Sequence, residues 1–421
     1  MKRVSIIAAA VATALTTGVA FAEEKAEMTS DGWSVNGYMS SNARVIDGAS
    51  ADTEFGRPDY KTAGTHGKST NQVEFVIKKH SEYSNGVWAD YVVRSEFGNG
   101  NSYAYSSDGD QKVSNDDGFA VKEAFVELGG ILGDETSIWA GQRYLNRAAG
   151  ILSGEFWKQS SGVGAGIQTK LAGKTAGIAY VMADPGDLDT MIPDADRKTL
   201  SSIDLYYYGI DAGIGSIDLD VKFGNKANTD EDGFGASVTL NSSYYGMDGW
   251  TQTALAYGSG VMQNRGVNFG NWSGGDDDAE SIFFTSYGVM NVTEKFQLGT
   301  EVVYMAALDK LFGAEDLKRY MVAARPSYNL NQNVRLEATV SYGHEEGKDG
   351  YWTRSGDALE SDIWNFEVAT AFTVNADYFG RPQIKPYVSY IVADDEASAG
   401  IIGIDNGKDQ VVVGVHTEIW F

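Results

Sequence analysis

The sequence predicts an all-β chain, an antiparallel barrel of eighteen strands that crosses a membrane. Three observations predict it. Short segments rich in Val, Ile, Tyr, Phe, Trp and Thr alternate in polarity along most of the chain. Long and short connections between them take turns throughout, and the N-terminus reads as an export signal.

Lys2 and Arg3 precede an apolar stretch from Val4 to Val19 that ends in Ala20-Phe21-Ala22, the small-x-small pattern of signal-peptidase cleavage. Residues 1–22 are therefore expected to be a removed signal peptide, 23–32 a polar lead and 33–421 the barrel. An uncleaved anchor is the bland alternative, but the stretch is short for a spanning helix of ~20 residues. Nothing after it makes an uninterrupted apolar run of that length, so any crossing of a membrane falls to strands.

Strands are expected over 33–45, 73–79, 87–97, 119–128, 137–144, 162–170, 175–183, 202–212 and 215–223. The second half continues with 235–243, 249–257, 281–289, 294–307, 318–328, 334–343, 362–373, 383–392 and 409–421. Ser216 to Phe223 is the cleanest case: Ile217, Leu219, Val221 and Phe223 share one face, Ser216, Asp218, Asp220 and Lys222 the other. A helix would need apolar residues at three- and four-residue spacing, which these segments lack.

Long connections begin at 46, 98, 145, 184, 224, 258, 308, 344 and 393, and short turns at 80, 129, 171, 213, 244, 290, 329 and 374. All long loops then fall on one rim, the external one, and the turns on the periplasmic rim. A soluble sandwich or propeller has no reason to sort its loops this way. In the last strand Val411, Val413, Val415, Thr417, Ile419 and Phe421 share one face, opposite Gly414, His416, Glu418 and Trp420. A chain ending on an outward Phe suits a lipid-facing closing strand; a soluble barrel ending on Phe by chance is the bland reading.

Composition narrows the functions. Gly reaches 50 residues and aromatics 12%, beside 33 basic and 58 acidic side chains and a net charge of -25, which fits neither a collagen nor a helical membrane protein and argues against nucleic acid as a partner. With no Cys, neither a disulfide nor a thiolate metal site can form. The acidic runs Asp230-Glu231-Asp232-Gly233 and Asp276-Asp277-Asp278 lack the full ligand spacing of a calcium loop, and no metal or other cofactor is expected. Around His66, His80, His344 and His416 there is no local Ser/His signature, so no enzyme is expected either.

Eighteen strands enclose an aqueous channel. Its lining should include Arg44, Asp218, Asp220, Lys295, Glu301, Arg335, Glu337, Glu367 and Lys385, charges that mostly serve solvation and packing. Parity also turns Tyr38, Trp250 and Trp420 inward among polar neighbours. Large rings in a wet channel suit a ligand with a flat apolar face and a rim of hydroxyls, as a pyranose has. Tyr257, Tyr304, Trp364 and Tyr390 face outward instead, as interfacial girdle residues do.

Several stretches resemble the maltoporin, or sugar-porin, family of eighteen-stranded trimeric outer-membrane channels: Val35-Asn36-Gly37-Tyr38, the run Ser137 to Arg147, and Ser161 to Gly166. Arg325-Pro326, Gly380-Arg381-Pro382 and the terminal Glu418-Ile419-Trp420-Phe421 add to the likeness, and the matches follow in order along the mature chain. The resemblance implies a homotrimer among outer-membrane lipid and lipopolysaccharide, with one loop folded inward and sugar as substrate. It implies that Tyr38, Trp250, Phe379 and Trp420 form an aromatic track, with Phe156 on the third long loop narrowing the pore. It also implies that Arg147, Lys122 and Glu74 are polar-track residues.

The chain departs from that pattern at Ala149 and Gly154, where the family has aspartates; Glu155 is the expected substitute. Ser40 replaces a polar-track arginine, and the aromatic given by a neighbouring subunit falls near Ser114, with Tyr103 or Tyr105 as replacements. The resulting expectation is passive diffusion of maltose or maltodextrin-like oligosaccharides through an aromatic-lined channel. A general cation-preferring porin on the same fold is one alternative, and an adhesin or phage receptor acting through its loops is another.

Overall fold

The computed structural model describes residues 26–46, 49–50, 62–67, 71–98, 120–183, 199–270, 272–274, 278–348, 359–401, 404 and 407–421. Eighteen long strands run through them. They are β1 (Met28–Ile46), β2 (Asn71–Tyr83), β3 (Trp88–Gly98), β4 (Ala120–Gly130), β5 (Gly133–Ala149) and β6 (Phe156–Leu171). Next come β7 (Lys174–Ala183), β8 (Leu200–Asp211), β9 (Gly215–Lys226), β10 (Asp232–Tyr244), β11 (Met247–Ser259) and β12 (Glu280–Thr293). The last are β13 (Phe296–Ala307), β14 (Ala314–Asn329), β15 (Val334–Lys348), β16 (Leu359–Thr373), β17 (Gln383–Ala393) and β18 (Asp409–Trp420).

Each strand pairs antiparallel with the next, and β18 returns to β1 in a register from Tyr38↔Trp420 to Ile46↔Val412. The wall therefore has no open edge, and its backbone groups pair within it, as a strand protein in lipid requires. Every one of the eighteen expected strands is present.

Along β18, Val411, Val413 and Val415 are exposed while His416 and Glu418 are buried. Outward Val35, Ile77, Val93, Val340 and Val388 repeat the pattern, against buried Arg44, Glu301, Arg335, Glu337, Glu367 and Lys385. Apolar outside and charged inside is the reverse of a water-soluble protein, and suits a lipid-facing wall around a polar lumen. Outward Tyr320, Tyr342, Trp364 and Phe366 sit ring against ring across β14 to β16, at 5.8, 4.7 and 6.0 Å. They are placed as a girdle.

Two expectations need correction. Lys295 lies exposed in the turn between β12 and β13, where its carbonyl accepts from Asn329, instead of lining the lumen. The sorting of connections by length is also less strict than expected: 150–155, 227–231 and 308–313 are shorter than the turn 374–382. Ladder bonds carry β5 and β6 on to Ala149↔Phe156, past the stretch where polarity alternates, and so absorb residues that read as loop.

Phe421 closes the seam. It exchanges two backbone hydrogen bonds with Gly37, at 2.8 and 3.2 Å, and its ring meets Phe75 edge-on at 6.1 Å. A Cβ on Gly37 would lie 2.3 Å from that ring, so only glycine leaves room for it. Deleting Phe421 is expected to lower the amount of assembled barrel in membranes while the channels that do assemble conduct normally, as quantitative blotting and single-channel recording would show. Normal membrane levels would contradict this.

Candidate functional site

Among the described residues, several segments from the external rim enter the barrel, where one was expected. The tip 150–155 between β5 and β6 crosses to β13, where the backbone N–H groups of Leu152 and Ser153 donate to Glu301 at 2.6 and 3.1 Å and the Ser153 hydroxyl adds a third bond. Gly150 lies against the same carboxylate: a Cβ there would sit 2.0 Å from Glu301 Oε1. From the connection between β11 and β12, Asn268–Phe269 pairs in parallel with Gln159–Ser160. The third segment, 62–67, is buried against β1, β15 and β16. There Asn42 donates to Thr65 O (2.9 Å), Asn365 to Ala63 O (2.6 Å), and Thr65 to Glu367 through both N–H (2.6 Å) and hydroxyl (2.5 Å).

From the opposite rim the turn 374–382 also folds in. Arg335 donates to Asp377 O, and Tyr378 is buried in an apolar cluster with Leu152, Trp157 and Phe283. Burial pushes the Tyr378 phenol well up, so it stays neutral.

A succession of rings and charges runs between these elements. Trp250 on β11 and Phe379 in the inward turn lie 6.2 Å apart, and Tyr287 meets Trp250 edge-on at 6.2 Å. Two residues beyond Phe379, the Arg381 guanidinium covers the Trp420 ring at 4.8 Å and pairs with Glu418 at 2.6 Å. Tyr38, the register partner of Trp420, donates to Glu418 at 3.0 Å, and Gln383 donates there too at 3.1 Å. The next register partner of Tyr38 is Glu74, which pairs with Arg94 at 3.4 Å. Arg94 lies 5.7 Å from the Tyr144 ring. The Arg147 guanidinium lies against the same Tyr144 ring at 4.4 Å and against the Phe156 ring at 4.0 Å.

Trp250 and Trp420 keep 38% and 46% of their surface exposed, so their rings are open to a ligand. The arrangement offers apolar faces for stacking and charged hydrogen-bonding groups beside them, the two needs of a polyhydroxylated ring.

The structure thus places seven of the nine sequence-derived residues in one band: Tyr38, Trp250, Phe379, Trp420, Phe156, Arg147 and Glu74. Lys122 stands beside it on the extra residue of a bulge, where the register passes from Ser95↔Val121 to Arg94↔Glu123. Glu155 is buried and ion-paired with Arg265 of the inward 260–270 stretch. Ser114, Tyr103 and Tyr105, and Asp276 and Asp277, lie outside the described residues. Arg94 and Glu418 were missed as site residues although both occupy inward parity positions, and Arg381 and Tyr144 although both lie within family-like motifs.

The comparisons agree with this architecture. The LamB porin family profile matches residues 33–421. Among curated relatives, the maltoporin of Vibrio cholerae serotype O1 is 25% identical over 455 aligned residues covering 100% of both chains. The maltoporin of Hahella chejuensis is 26% identical over 335, covering 76% of this chain and 77% of its own. The crystal structure of Pseudomonas aeruginosa OpdL superposes with a TM-score of 0.50 at 11% identity, covering 92% of this chain and 99% of its own, a likeness that bears on the fold alone. With its closed eighteen-stranded wall and a match over nearly its full length, the chain belongs to the LamB porin family and is an outer-membrane β-barrel channel protein.

Proposed function

We propose that the band from Trp250 through Phe379, Trp420, Tyr38, Glu74 and Arg147 to Phe156 carries saccharides through the barrel by passive diffusion, with maltose and maltodextrin-like oligosaccharides as the substrate class. The observation that carries this reading is the succession of rings and charged groups: Trp250 beside Phe379, Arg381 over Trp420, Tyr38 bonded to Glu418, and Arg147 against Tyr144 and Phe156, so that stacking faces and hydrogen-bonding groups recur along the wall. Relatives named maltoporin support the same class. Glu155 has a bracing role in this scheme, holding the inward loop through Arg265, and Lys122 stands at the edge of the track. The working unit is a homotrimer in outer-membrane lipid and lipopolysaccharide, as the resemblance implies.

The test is planar-bilayer conductance titrated with glucose, maltose, sucrose and longer maltodextrins. Saturable block that strengthens with chain length is expected; unblocked conductance would make this a general porin, and no conductance would favour an adhesin. Replacing Trp250 or Trp420 by alanine should weaken maltodextrin block by about 1 to 1.5 kcal/mol, roughly five- to tenfold, with open-channel conductance nearly unchanged. A packing role predicts the opposite: lost thermal stability and wild-type block.

A further inference from the structure

Arginines along the band are held by carboxylates. Arg94 is held by Glu123 at 2.8 Å and by Glu74 at 3.4 Å, Arg143 by Glu127 at 3.2 Å, and Arg381 by Glu418. Those carboxylates are further committed, Glu123 to the Tyr144 N–H (3.0 Å) and Glu74 to Gln72 (2.7 Å). Arg147 differs. Among the described residues no carboxylate pairs with it, and its Nε is buried with no acceptor.

The segment facing it explains why. Ala149 and Gly154 have no side chain that could answer a cation, and Glu155, the acid nearest in sequence, is turned to Arg265. The guanidinium is held against two rings, Tyr144 at 4.4 Å and Phe156 at 4.0 Å. Its N–H donors lie along the edge of its plane, where a ligand in the passage can meet them. Glu74 and Glu123 act on it from a distance, but both are paired with Arg94. A planar fork of donors with no carboxylate in ion-pair contact matches two oxygens of one carboxylate better than two hydroxyls of a neutral ring, because the bonds to an ionised acceptor are charge-assisted.

We propose that Arg147, held against Tyr144 and Phe156, forms a carboxylate subsite at the narrow part of the channel, so that saccharides bearing an acid group, such as uronic-acid oligosaccharides, bind there in preference to neutral ones. This rests on the saccharide-channel reading above and assigns its narrowest point a ligand class.

The experiment compares block by trigalacturonate and by maltotriose in the wild-type trimer, at both voltage polarities so that the field on the charged ligand is averaged out. Trigalacturonate is expected to block at roughly tenfold lower concentration, the factor for one added charge-assisted contact. Arg147→Gln should bring the ratio of the two blocking constants close to unity. Arg147→Lys, which keeps the charge and loses the planar fork, should leave an intermediate ratio that falls steeply with added salt. Open-channel current in each variant shows that the barrel has assembled. Block by maltotriose with no preference for trigalacturonate overturns this inference and leaves the saccharide channel standing, as does a preference that survives Arg147→Gln. Block by neither saccharide overturns both.

Discussion

Replacing Glu301 with alanine is expected to widen the channel. The carboxylate on β13 is fully buried and accepts three hydrogen bonds from the tip 150–155, two from backbone N–H groups and one from a hydroxyl. Bonds to a charged acceptor are each worth about 1.5 to 3 kcal/mol, and the alanine variant also leaves two N–H groups buried without acceptors. Docking of the tip should therefore weaken by roughly 3 to 5 kcal/mol, enough to release it from the far wall although the ladder through Ala149↔Phe156 persists. Larger and noisier single-channel currents, with weaker maltodextrin block, are the expected result. Unchanged conductance with normal block would mean that Trp157, stacked on Phe283 at 6.1 Å, and the Glu155–Arg265 pair suffice to hold the constriction.

Acid should act on the inward segment 62–67. His66 is buried, its carbonyl accepts from Arg44, and its ring lies 3.9 Å from Glu367. Burial holds the imidazole below its ordinary value of 6.5, Arg44 adds to this, and Glu367 offsets only part of it. The sign follows from linkage. A base whose pKa is lowered in the tucked state takes up its proton more readily when released, so docking is fully stable above about pH 6.5 and weakens as pH falls from there toward the lowered value. Conductance should rise as pH falls below about 6.5 and the 62–67 segment loosens. His66→Gln, which cannot titrate, should flatten that rise; a variant with the same pH profile as wild type would place the effect elsewhere.

Period-two alternation made the wall legible. It set which face of β18 meets lipid and turned Tyr38, Trp250 and Trp420 inward, because a strand side chain has only two directions available. The same rule fails at Lys122, where one extra residue in β4 breaks the parity, and at Lys295, where the chain is turning. It says nothing of Glu155, whose partner Arg265 lies in a different inward segment. Phe379 stands in a turn, where no period applies, and its place beside Trp250 depends on the fold of 374–382 into the barrel. Local pattern reports direction relative to the sheet; the filling of the lumen depends on contacts between segments distant in sequence.

The seam between β1 and β18 has a temporal meaning as well. Tyr38 and Glu418 are 380 positions apart and meet only across that seam, as do Tyr38 and Trp420. Half of this end of the band is thus carried by the first strand of the wall and half by the last. Until the two ends of the polypeptide pair, this end of the band does not exist, so closing the wall there and completing its chemistry are one and the same contact.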